Sequence, residues 1–302
     1  MEHAEVRDSG VFLPTLVNAH THCADAGARP EPGMTLEQLV APPDGLKHRY
    51  LRETPRDMIV SDIRRYAEES SRNGISTFLD FREGGADGCG MLREASPDGF
   101  VMGRPVSPEY DEEEMTRITS VADGIALSSI SDMDRRYVDM CAEAAHRAGK
   151  PFAIHVSERV REDIEFVLSL EPAFVVHMVQ ATPSDLRMCA DRGVPVVVCP
   201  RSNAFFGMVS PLSRMLDAGV TLALGTDNAM LCSPDLRPEA LLASRILTGQ
   251  GRDGRVVLDI LADGSTVISD VLGIPRRPVL LPLPDPGNPL SALECHLPVQ
   301  RA

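Results

Sequence analysis

The chain has 302 residues, of which 43% are hydrophobic and 25% are charged, as in an ordinary globular protein with a large core. Its net charge of −14 argues against a nucleic-acid backbone or an anionic membrane surface as a partner. The seven cysteines include no Cys-x-x-Cys pair, which indicates reduced thiols. Since neither a signal peptide nor a membrane-spanning apolar run is evident, we expect a cytoplasmic protein.

A repeated order of apolar strand, turn and amphipathic helix runs along most of the chain. The predicted strands are 13–19, 76–80, 100–102, 124–128, 151–155, 173–177, 194–199 and 221–224. The predicted helices are 54–74, 112–121, 131–149, 161–170, one opened by Thr182, 212–218 and 234–247. Eight strands alternating with helices predict an α/β fold of the (β/α)8 TIM barrel type, with a doubly wound open sheet as the competing architecture.

Polar side chains that could bind a metal lie at the carboxyl ends of several strands. They are, in chain order, His20, His22, His155, His177 and Asp227. His20 and His22 are two residues apart, so on a strand they face the same side. In a closed barrel these strand ends meet at one mouth, whereas an open sheet holds strands one and eight far apart. The constellation therefore favours the barrel.

Each of these residues also has an ordinary structural explanation. A lone His-x-His pair is most often on the surface, and a histidine that ends an apolar strand is most often buried and hydrogen-bonded. The run Gly225-Thr226-Asp227 is by itself typical of a turn. The ordinary explanations would have to apply independently at every one of these strand ends. We therefore interpret the set as a metal site.

Five short motifs at these strand ends resemble the amidohydrolase superfamily, and within it the branch of cytosine and guanine deaminases and triazine-type chlorohydrolases. The resemblance covers about residues 11 to 250. Its motifs are Asn18-Ala19-His20-Thr21-His22, His155-Val156-Ser157-Glu158, Val176-His177, Cys199-Pro200-Arg201-Ser202-Asn203 and Gly225-Thr226-Asp227-Asn228.

The resemblance implies one divalent metal ion, held by three imidazoles and a carboxylate from His20, His22, His155 and Asp227. This donor set suits Zn²⁺, which we expect first, or Fe²⁺. Binuclear relatives bridge two metals with a carboxylated lysine on strand four, and residues 124–128 contain no lysine. We therefore expect a single catalytic metal.

The resemblance also implies an enzyme that hydrolyses C–N bonds, with deamination of a purine, pyrimidine or pterin-like heterocyclic amine as the expected reaction. A metal-activated water is the nucleophile. Asp227 takes its proton, and His177 orients the attack. Glu158 passes a proton to the ring nitrogen and the departing amine, although alone it could be a first-turn acid of a helix. The alternatives are hydrolysis of a cyclic amide or C–halogen bond, and a catalytically silent relative that binds a small molecule.

Further polar residues at the same mouth are expected to bind the substrate. They are Lys47, Arg82, Arg201, Asn203 and Asn228. Arginine matches carboxylate and phosphate groups bidentately, so Arg82 and Arg201 are the expected partners of such a group. Each of these side chains could instead be a solvated loop residue.

The domain prediction is a barrel over residues 1–274 and a Pro-rich tail over residues 275–302. Many members of the superfamily wrap a β-sandwich around the barrel, whereas here only a reduced C-terminal β remnant is expected. Residues 279–283 and 290–295 are predicted to form a short hairpin in that tail. The sequence is compatible with a homo-oligomer, and neither nucleic acid nor membrane is an expected partner.

Overall fold

The computed structural model describes residues 4–7, 10–41 and 43–301. Its strands are β1 (Glu5–Arg7), β2 (Gly10–Leu13), β3 (Val17–His22), β4 (Thr77–Arg82), β5 (Phe100–Gly103), β6 (Gly124–Leu127), β7 (Phe152–Val156), β8 (Phe174–His177), β9 (Val196–Val198), β10 (Leu222–Leu224), β11 (Asp227–Asn228), β12 (Val279–Pro282) and β13 (Gln300–Arg301).

The α-helices are α1 (Leu36–Val40), α2 (Leu46–Glu53), α3 (Arg56–Arg72), α4 (Gly85–Ala95), α5 (Glu112–Val121), α6 (Arg135–Arg147), α7 (Ile164–Ser169), α8 (Pro183–Asp191), α9 (Pro200–Phe205), α10 (Leu212–Asp217), α11 (Leu236–Gly249), α12 (Val257–Leu272) and α13 (Ser291–Glu294). Over the described ranges, no helix is both long enough and apolar enough to cross a membrane.

Nine strands in the described part of the chain form one parallel sheet, in the order β10-β9-β8-β7-β6-β5-β4-β3-β11. β10 pairs with β9, and after two intervening residues β11 pairs with β3. Those two residues continue both ladders, because Gly225 donates to the carbonyl of Val198 at 3.0 Å and Thr226 donates to the carbonyl of His20 at 3.0 Å. Residues 222–228 thus act as one eighth strand that joins the sheet edges, and the sheet has the form of a (β/α)8 barrel.

Apolar side chains cover both faces of this sheet, which explains why its strands lack a strict apolar–polar alternation. One buried cluster fills the barrel interior and includes Phe81, Met102 and Phe174. A larger cluster packs the outer strand faces against the helices and includes Phe152 and Ile154. Burial of this area stabilises the barrel by about 25 cal/mol per Å² of apolar surface.

The first barrel strand begins later than predicted. The expected single strand over residues 13–19 is wrong, because its apolar run is divided between β2 and β3. Pro14 lies between them and has no backbone N–H to donate to a ladder. As a result, the two histidines lie inside β3 rather than after it.

A small antiparallel sheet of β1, β2, β12 and β13 joins the two ends of the chain. β12 pairs with β2, with Val279 opposite Leu13, and with β13. The predicted hairpin between residues 279–283 and 290–295 is wrong, because the second segment contains α13, whose Ala, Leu and Glu residues are good helix formers. This pairing crosses the predicted boundary between residues 274 and 275. The two-domain division and the reduced β-sandwich stay predictions.

Helix α6 begins at Arg135, not near Ser131 as predicted. The carboxylate of Asp134 accepts hydrogen bonds from the backbone N–H groups of Arg136 at 3.0 Å and Tyr137 at 3.1 Å, and so caps the helix. Ser131 donates its own backbone N–H to Glu162 at 2.7 Å. The segment before α6 is therefore a loop at the carboxyl end of the barrel.

Candidate active site

Three imidazoles and one carboxylate converge at the carboxyl end of the barrel. We call this group the His/Asp cluster; its members are His20, His22, His155 and Asp227. The Nε2 atom of His20 lies 3.3 Å from Nε2 of His155 and 3.3 Å from Oδ1 of Asp227. Nε2 of His22 lies 3.7 Å from the same carboxylate oxygen. The structure therefore brings the four expected metal ligands together around Nε2 of His20.

A β-bulge aims the first of these histidines. The pairing of β3 with β4 shifts register between Asn18 and Thr21. A bulge allows two consecutive residues to face the same side. Ala19 accordingly belongs to the interior cluster, and the ring of the next residue, His20, packs edge-on to Phe81 at a centroid distance of 4.4 Å.

Left-handed backbone at two other strand ends turns further side chains into the site. His177 has φ of 78° and Asp227 has φ of 61°, although neither is glycine. Such conformations cost on the order of 1–3 kcal/mol each and persist where the surrounding structure enforces them. Val176 faces the barrel interior, so regular alternation would direct His177 away from it. The rings of His177 and His155 nevertheless stack at a centroid distance of 5.4 Å.

Hydrogen bonds on the far side of two rings fix their tautomers. Nδ1 of His22 lies 3.0 Å from the carbonyl oxygen of Phe81, and Nδ1 of His155 lies 2.9 Å from that of Leu127. A carbonyl can only accept, so each Nδ1 carries the proton and each Nε2 presents a lone pair to the His/Asp cluster. Lone pairs of neutral imidazoles beside a carboxylate are a donor set that fits a divalent cation such as Zn²⁺ or Fe²⁺.

Protonation of the cluster is consistent with that donor set. Burial lowers the pKa of His20 to about 4 and, with the charges of the neighbouring histidines, holds the pKa of His155 well below its ordinary value. Burial alone would raise the pKa of Asp227, but its hydrogen bond with His20 and the nearby histidine charges outweigh burial, so the net pKa is well below the ordinary range. At pH 7 the imidazoles of His20 and His155 are therefore neutral and the carboxylate of Asp227 is anionic.

A second constellation, Glu158 with His177, lies beside the cluster. Oε1 of Glu158 is 3.6 Å from Nε2 of His177. The side-chain nitrogen of Asn203 lies 3.3 Å from Oε1 of Glu158 and 3.4 Å from Nδ1 of His177. Ser210 donates to Oδ1 of Asn203 at 3.1 Å, which sets the orientation of that amide. Since the amide nitrogen donates, Nδ1 of His177 accepts and its Nε2 carries the proton.

The carboxyl group of Glu158 has an unusual proton affinity. Burial, followed by the negative charge of Asp227, raises its pKa to about 8. Burial also lowers the pKa of His177 to about 4. The neighbouring acid and imidazole thus have pKa values displaced in opposite directions from their ordinary values.

Both constellations open onto one cavity of about 400 Å³, a volume typical of small-molecule sites. Its floor contains His22, His155, Glu158, His177 and Asp227. Its walls come from α1 and α2 and from the loops that follow β5, β6, β7 and α9. The predicted catalytic residues therefore share one small-molecule-sized space.

Two of the five predicted substrate-binding residues, Lys47 and Asn228, line this cavity. The amide nitrogen of Asn228 donates to buried Asp25 at 2.7 Å, which fixes its orientation. Lys47 forms an ion pair with Glu83 and is almost fully buried. Asn203 contacts Glu158 and His177 rather than the cavity, so we assign it a positioning role.

The two arginines expected to bind a substrate anion form ion pairs within the protein. The guanidinium group of Arg82 is buried and lies 3.0 Å from Glu83 and 3.4 Å from Asp80. Arg201 donates to Glu239 at 2.7 Å, and that carboxylate is fully buried. Neither arginine is among the residues that line the cavity. Both already have carboxylate partners within the protein, and a substrate-binding role for either arginine stays a prediction.

Sequence reasoning missed several cavity residues, above all Arg104. It directly follows β5 and lines the cavity. The rule that found His155 and His177, namely to examine the residue at each strand end, applies to the predicted strand 100–102 as well. Phe206 and Arg159 carried no such signal, because they lie in loops whose course the sequence does not specify.

A buried hydrogen-bond network fastens β3 to the segment that contains Asp227. The hydroxyl of Tyr66 lies 2.7 Å from Oγ1 of Thr21, 3.1 Å from the amide nitrogen of Asn18 and 3.1 Å from Oγ1 of Thr226. Asn18 also donates to Thr226 at 2.8 Å. These bonds hold the residues adjacent to His20, His22 and Asp227 in fixed register.

Removal of this hydroxyl by Tyr66→Phe is expected to lower the free energy of unfolding by about 1–3 kcal/mol, because three buried polar groups lose a partner. The variant should also lose bound metal faster during dialysis, since β3 and residues 226–227 are less firmly aligned. Urea unfolding and metal content after dialysis measure both effects. Tyr110→Phe, which removes an exposed hydroxyl bonded to Glu112 and Arg147, is the control. If Tyr66→Phe and Tyr110→Phe lost equal amounts of unfolding free energy and of bound metal, the role assigned to the Tyr66 hydroxyl would be wrong.

Comparison with known proteins identifies the family. Residues 11–277 match the amidohydrolase family. The chain belongs to the amidohydrolase family. The relationship expected from the sequence motifs is therefore confirmed, and this amidohydrolase is a hydrolase that acts on non-peptide C–N bonds.

Curated relatives of this amidohydrolase bear aminohydrolase and deaminase names. A putative aminohydrolase of Methanothermobacter thermautotrophicus is 36% identical over 266 residues, which cover 80% of this chain and 69% of the relative. A 5-methylthioadenosine/S-adenosylhomocysteine deaminase of Halobacterium salinarum is 30% identical over 262 residues, which cover 72% of this chain and 58% of that protein. This chain thus spans less than two thirds of the named deaminase.

Solved structures share the fold of this amidohydrolase. An atrazine chlorohydrolase of Arthrobacter aurescens complexed with zinc superposes with a TM-score of 0.73 at 17% identity, covering 91% of this chain and 76% of that one. An adenosine deaminase of Xanthomonas campestris with bound zinc has a TM-score of 0.71 at 17% identity, covering 92% and 73%. At this identity the likeness establishes the fold and nothing finer.

Proposed function

We propose that this amidohydrolase deaminates a heterocyclic amine by hydrolysis, with one divalent metal ion held by the His/Asp cluster. The observation that carries the proposal is that the cluster and the Glu158–His177 pair open onto the same cavity. His20, His22, His155 and Asp227 would hold a divalent ion, which would supply an acidic water with a pKa of about 7. The residues around it then have to move protons and stabilise one developing charge.

Asp227 is the proton acceptor for the attacking water. Its Oδ1 faces His20 and His22, and its Oδ2 accepts a hydrogen bond from Ser202. That bond holds the carboxylate plane in place, so one oxygen stays directed at the cluster. A carboxylate in this position can accept a proton at the point where the water is attacked.

Glu158 is the proton donor to the substrate. Its carboxyl group lines the cavity beside the cluster, and the ligand atoms of Glu158, His177 and Asp227 lie within 4.8 Å of one another. A carboxyl group there can protonate the ring nitrogen as the water adds. It then takes up the proton that Asp227 accepted from the water, passes it to the amine as the C–N bond breaks, and regains a proton from the hydroxyl of the adduct as the carbonyl forms. Simple hydrolysis of an amide does not require protonation of a ring nitrogen, so this carboxyl group favours deamination.

His177 stabilises the charge that develops on the reacting oxygen. Asn203 donates to its Nδ1, so the proton sits on Nε2, on the side of the ring that faces Glu158. A fixed N–H donor stabilises a developing negative charge most strongly in a site from which water is excluded.

The relatives support the same reaction class. The Halobacterium salinarum deaminase at 30% identity is named for the removal of an amino group from an adenine derivative. The 36% identical relative carries the broader name of aminohydrolase. Zinc is the metal we propose first, in agreement with three imidazole donors and with the zinc in two structural neighbours; Fe²⁺ is the alternative.

The test is ammonia release from a panel of amino-purines, amino-pyrimidines and amino-pterins, with metal analysis on the same sample. We expect about one equivalent of Zn or Fe per chain and ammonia from at least one compound. Chloride release from a chlorotriazine without any ammonia would replace deamination by C–halogen hydrolysis. A gently purified protein without stoichiometric metal would contradict the whole proposal.

A further inference from the structure

Arg104 places a positive charge on the cavity wall. Its backbone is fixed, since its N–H donates to the carbonyl of Arg82 at 2.9 Å and its own carbonyl accepts from Gly85 at 3.2 Å. Its side chain lines the cavity and is half-buried. Within residues 4–7, 10–41 and 43–301, the Arg104 guanidinium makes neither a hydrogen bond nor an ion pair.

Two acids on the segments next to Arg104 in the fold are engaged elsewhere. Glu83 pairs with Lys47, with Arg82 and with Nδ1 of His22. Glu114 accepts from the backbone N–H groups of Val106 at 2.7 Å and Ser107 at 3.1 Å. Neither of these carboxylates neutralises Arg104.

The acids on the opposite wall are engaged as well. Glu162 accepts from the backbone N–H groups of Ser131 and Ser157, both at 2.7 Å. Asp132 lies 3.7 Å from Arg159, which also pairs with Glu37 at 2.9 Å. Arg159 is therefore satisfied, whereas the guanidinium of Arg104 has no such partner in the described part of the chain.

A half-buried cation without a partner is energetically unfavourable, so a ligand that supplies the counterion gains affinity. The protein as a whole carries a net charge of −14, and an anion would find no general attraction to it. The local charge is different, because Lys47 lines the same cavity, and among the described residues its ammonium group pairs only with Glu83, which leaves N–H donors for a ligand.

We propose that the substrate of this site carries an anionic group, a carboxylate or a phosphate, which Arg104 binds with support from Lys47. This inference rests on the proposed deamination, because it assigns the far end of the same heterocyclic substrate. The cavity of about 400 Å³ contains both the catalytic pair and Arg104, so one molecule can present its amine to the His/Asp cluster and its anionic group to the arginine. The planar guanidinium suits two-point binding of either anion.

The experiment measures binding apart from turnover, by calorimetry on metal-loaded protein with the Glu158→Gln substitution. The ligands are adenosine, adenosine 5′-carboxylate and adenosine 5′-monophosphate, which share one ring and differ only in the group at the 5′ position. We expect one of the two acids to bind at least about tenfold more tightly than adenosine, as for a charge-assisted hydrogen bond. Whichever of the two acids binds more tightly than adenosine shows whether the site prefers a carboxylate or a phosphate.

Adding Arg104→Gln should reduce this preference to less than about threefold while leaving the affinity for adenosine unchanged. Arg104→Lys should retain part of it, because the charge remains and the two-point geometry is lost. Arg64→Gln on α3, an exposed arginine outside the cavity, is the matched control and should bind like the parent. Equal binding of all three ligands to the parent, or a preference that survives Arg104→Gln, would overturn the anion site. Failure of deamination appears separately, as absence of ammonia with the anion preference intact.

Discussion

Asp227→Asn is expected to lower kcat/KM for the best substrate of the ammonia panel by about 10⁴-fold or more, as when a central catalytic group is removed. The amide preserves the shape of the side chain but can neither accept the proton of the attacking water nor offer the cluster a negative charge. Because Oδ1 of Asp227 faces both His20 and His22, metal affinity should fall as well. Activity and metal content are measured on the same preparation.

Asp191→Asn, an exposed aspartate at the end of α8, changes the same charge outside the site and should leave both quantities unchanged. Saturating metal separates the two effects of Asp227→Asn. If added Zn²⁺ restored activity to the wild-type value, Asp227 would be a ligand only, and its role as proton acceptor would be wrong.

The sequence predicted the barrel and the convergence of the site for one physical reason. Parallel strands have a common direction, so residues at their carboxyl ends meet wherever the sheet closes. His155 and Asp227 are far apart in the chain, yet strand order alone brings them together. Pairing of residues 222–228 with both sheet edges supplies the closure that this argument required.

The sequence could not predict which charged side chains would be free. Arg82, Arg104 and Arg201 all follow or end strands, and their residue type is the same. Two are neutralised by the acids Asp80, Glu83 and Glu239, one of which lies 38 residues away in the sequence. Only tertiary packing decides which arginine pairs internally, which is why the proposed anion site involves Arg104 and not Arg82 or Arg201.

Local irregularities of the backbone were also invisible in the sequence. The bulge in β3 and the left-handed φ at His177 and Asp227 occur at residues other than glycine, so the residue types did not indicate these conformations. Their cost is offset by packing around them, including the Tyr66 network beneath β3. The small sheet at the chain ends could not be predicted from local sequence either, because pairing of β2 with β12 joins segments about 270 residues apart.

Glu158→Gln is expected to lower kcat by about 10²- to 10⁴-fold, the usual contribution of a positioned acid–base group. The amide has almost the same size and can still accept from Asn203, but it holds no transferable proton. Metal content should stay at the wild-type level, because Glu158 is not one of the four ligands proposed for the metal. Kinetics and metal analysis on one preparation test both expectations.

Two further variants separate proton transfer by Glu158 from support of His177. Glu165→Gln, an exposed acid on α7, is the matched control and should turn over normally. Asn203→Ala removes the amide that contacts both Glu158 and His177 and should cost less than Glu158→Gln, since the carboxyl proton remains. If Asn203→Ala and Glu158→Gln lowered kcat equally, and their combination lowered it no further, Glu158 would act only by orienting His177. A larger loss in Glu158→Gln, with metal still bound, makes its carboxyl group the proton donor.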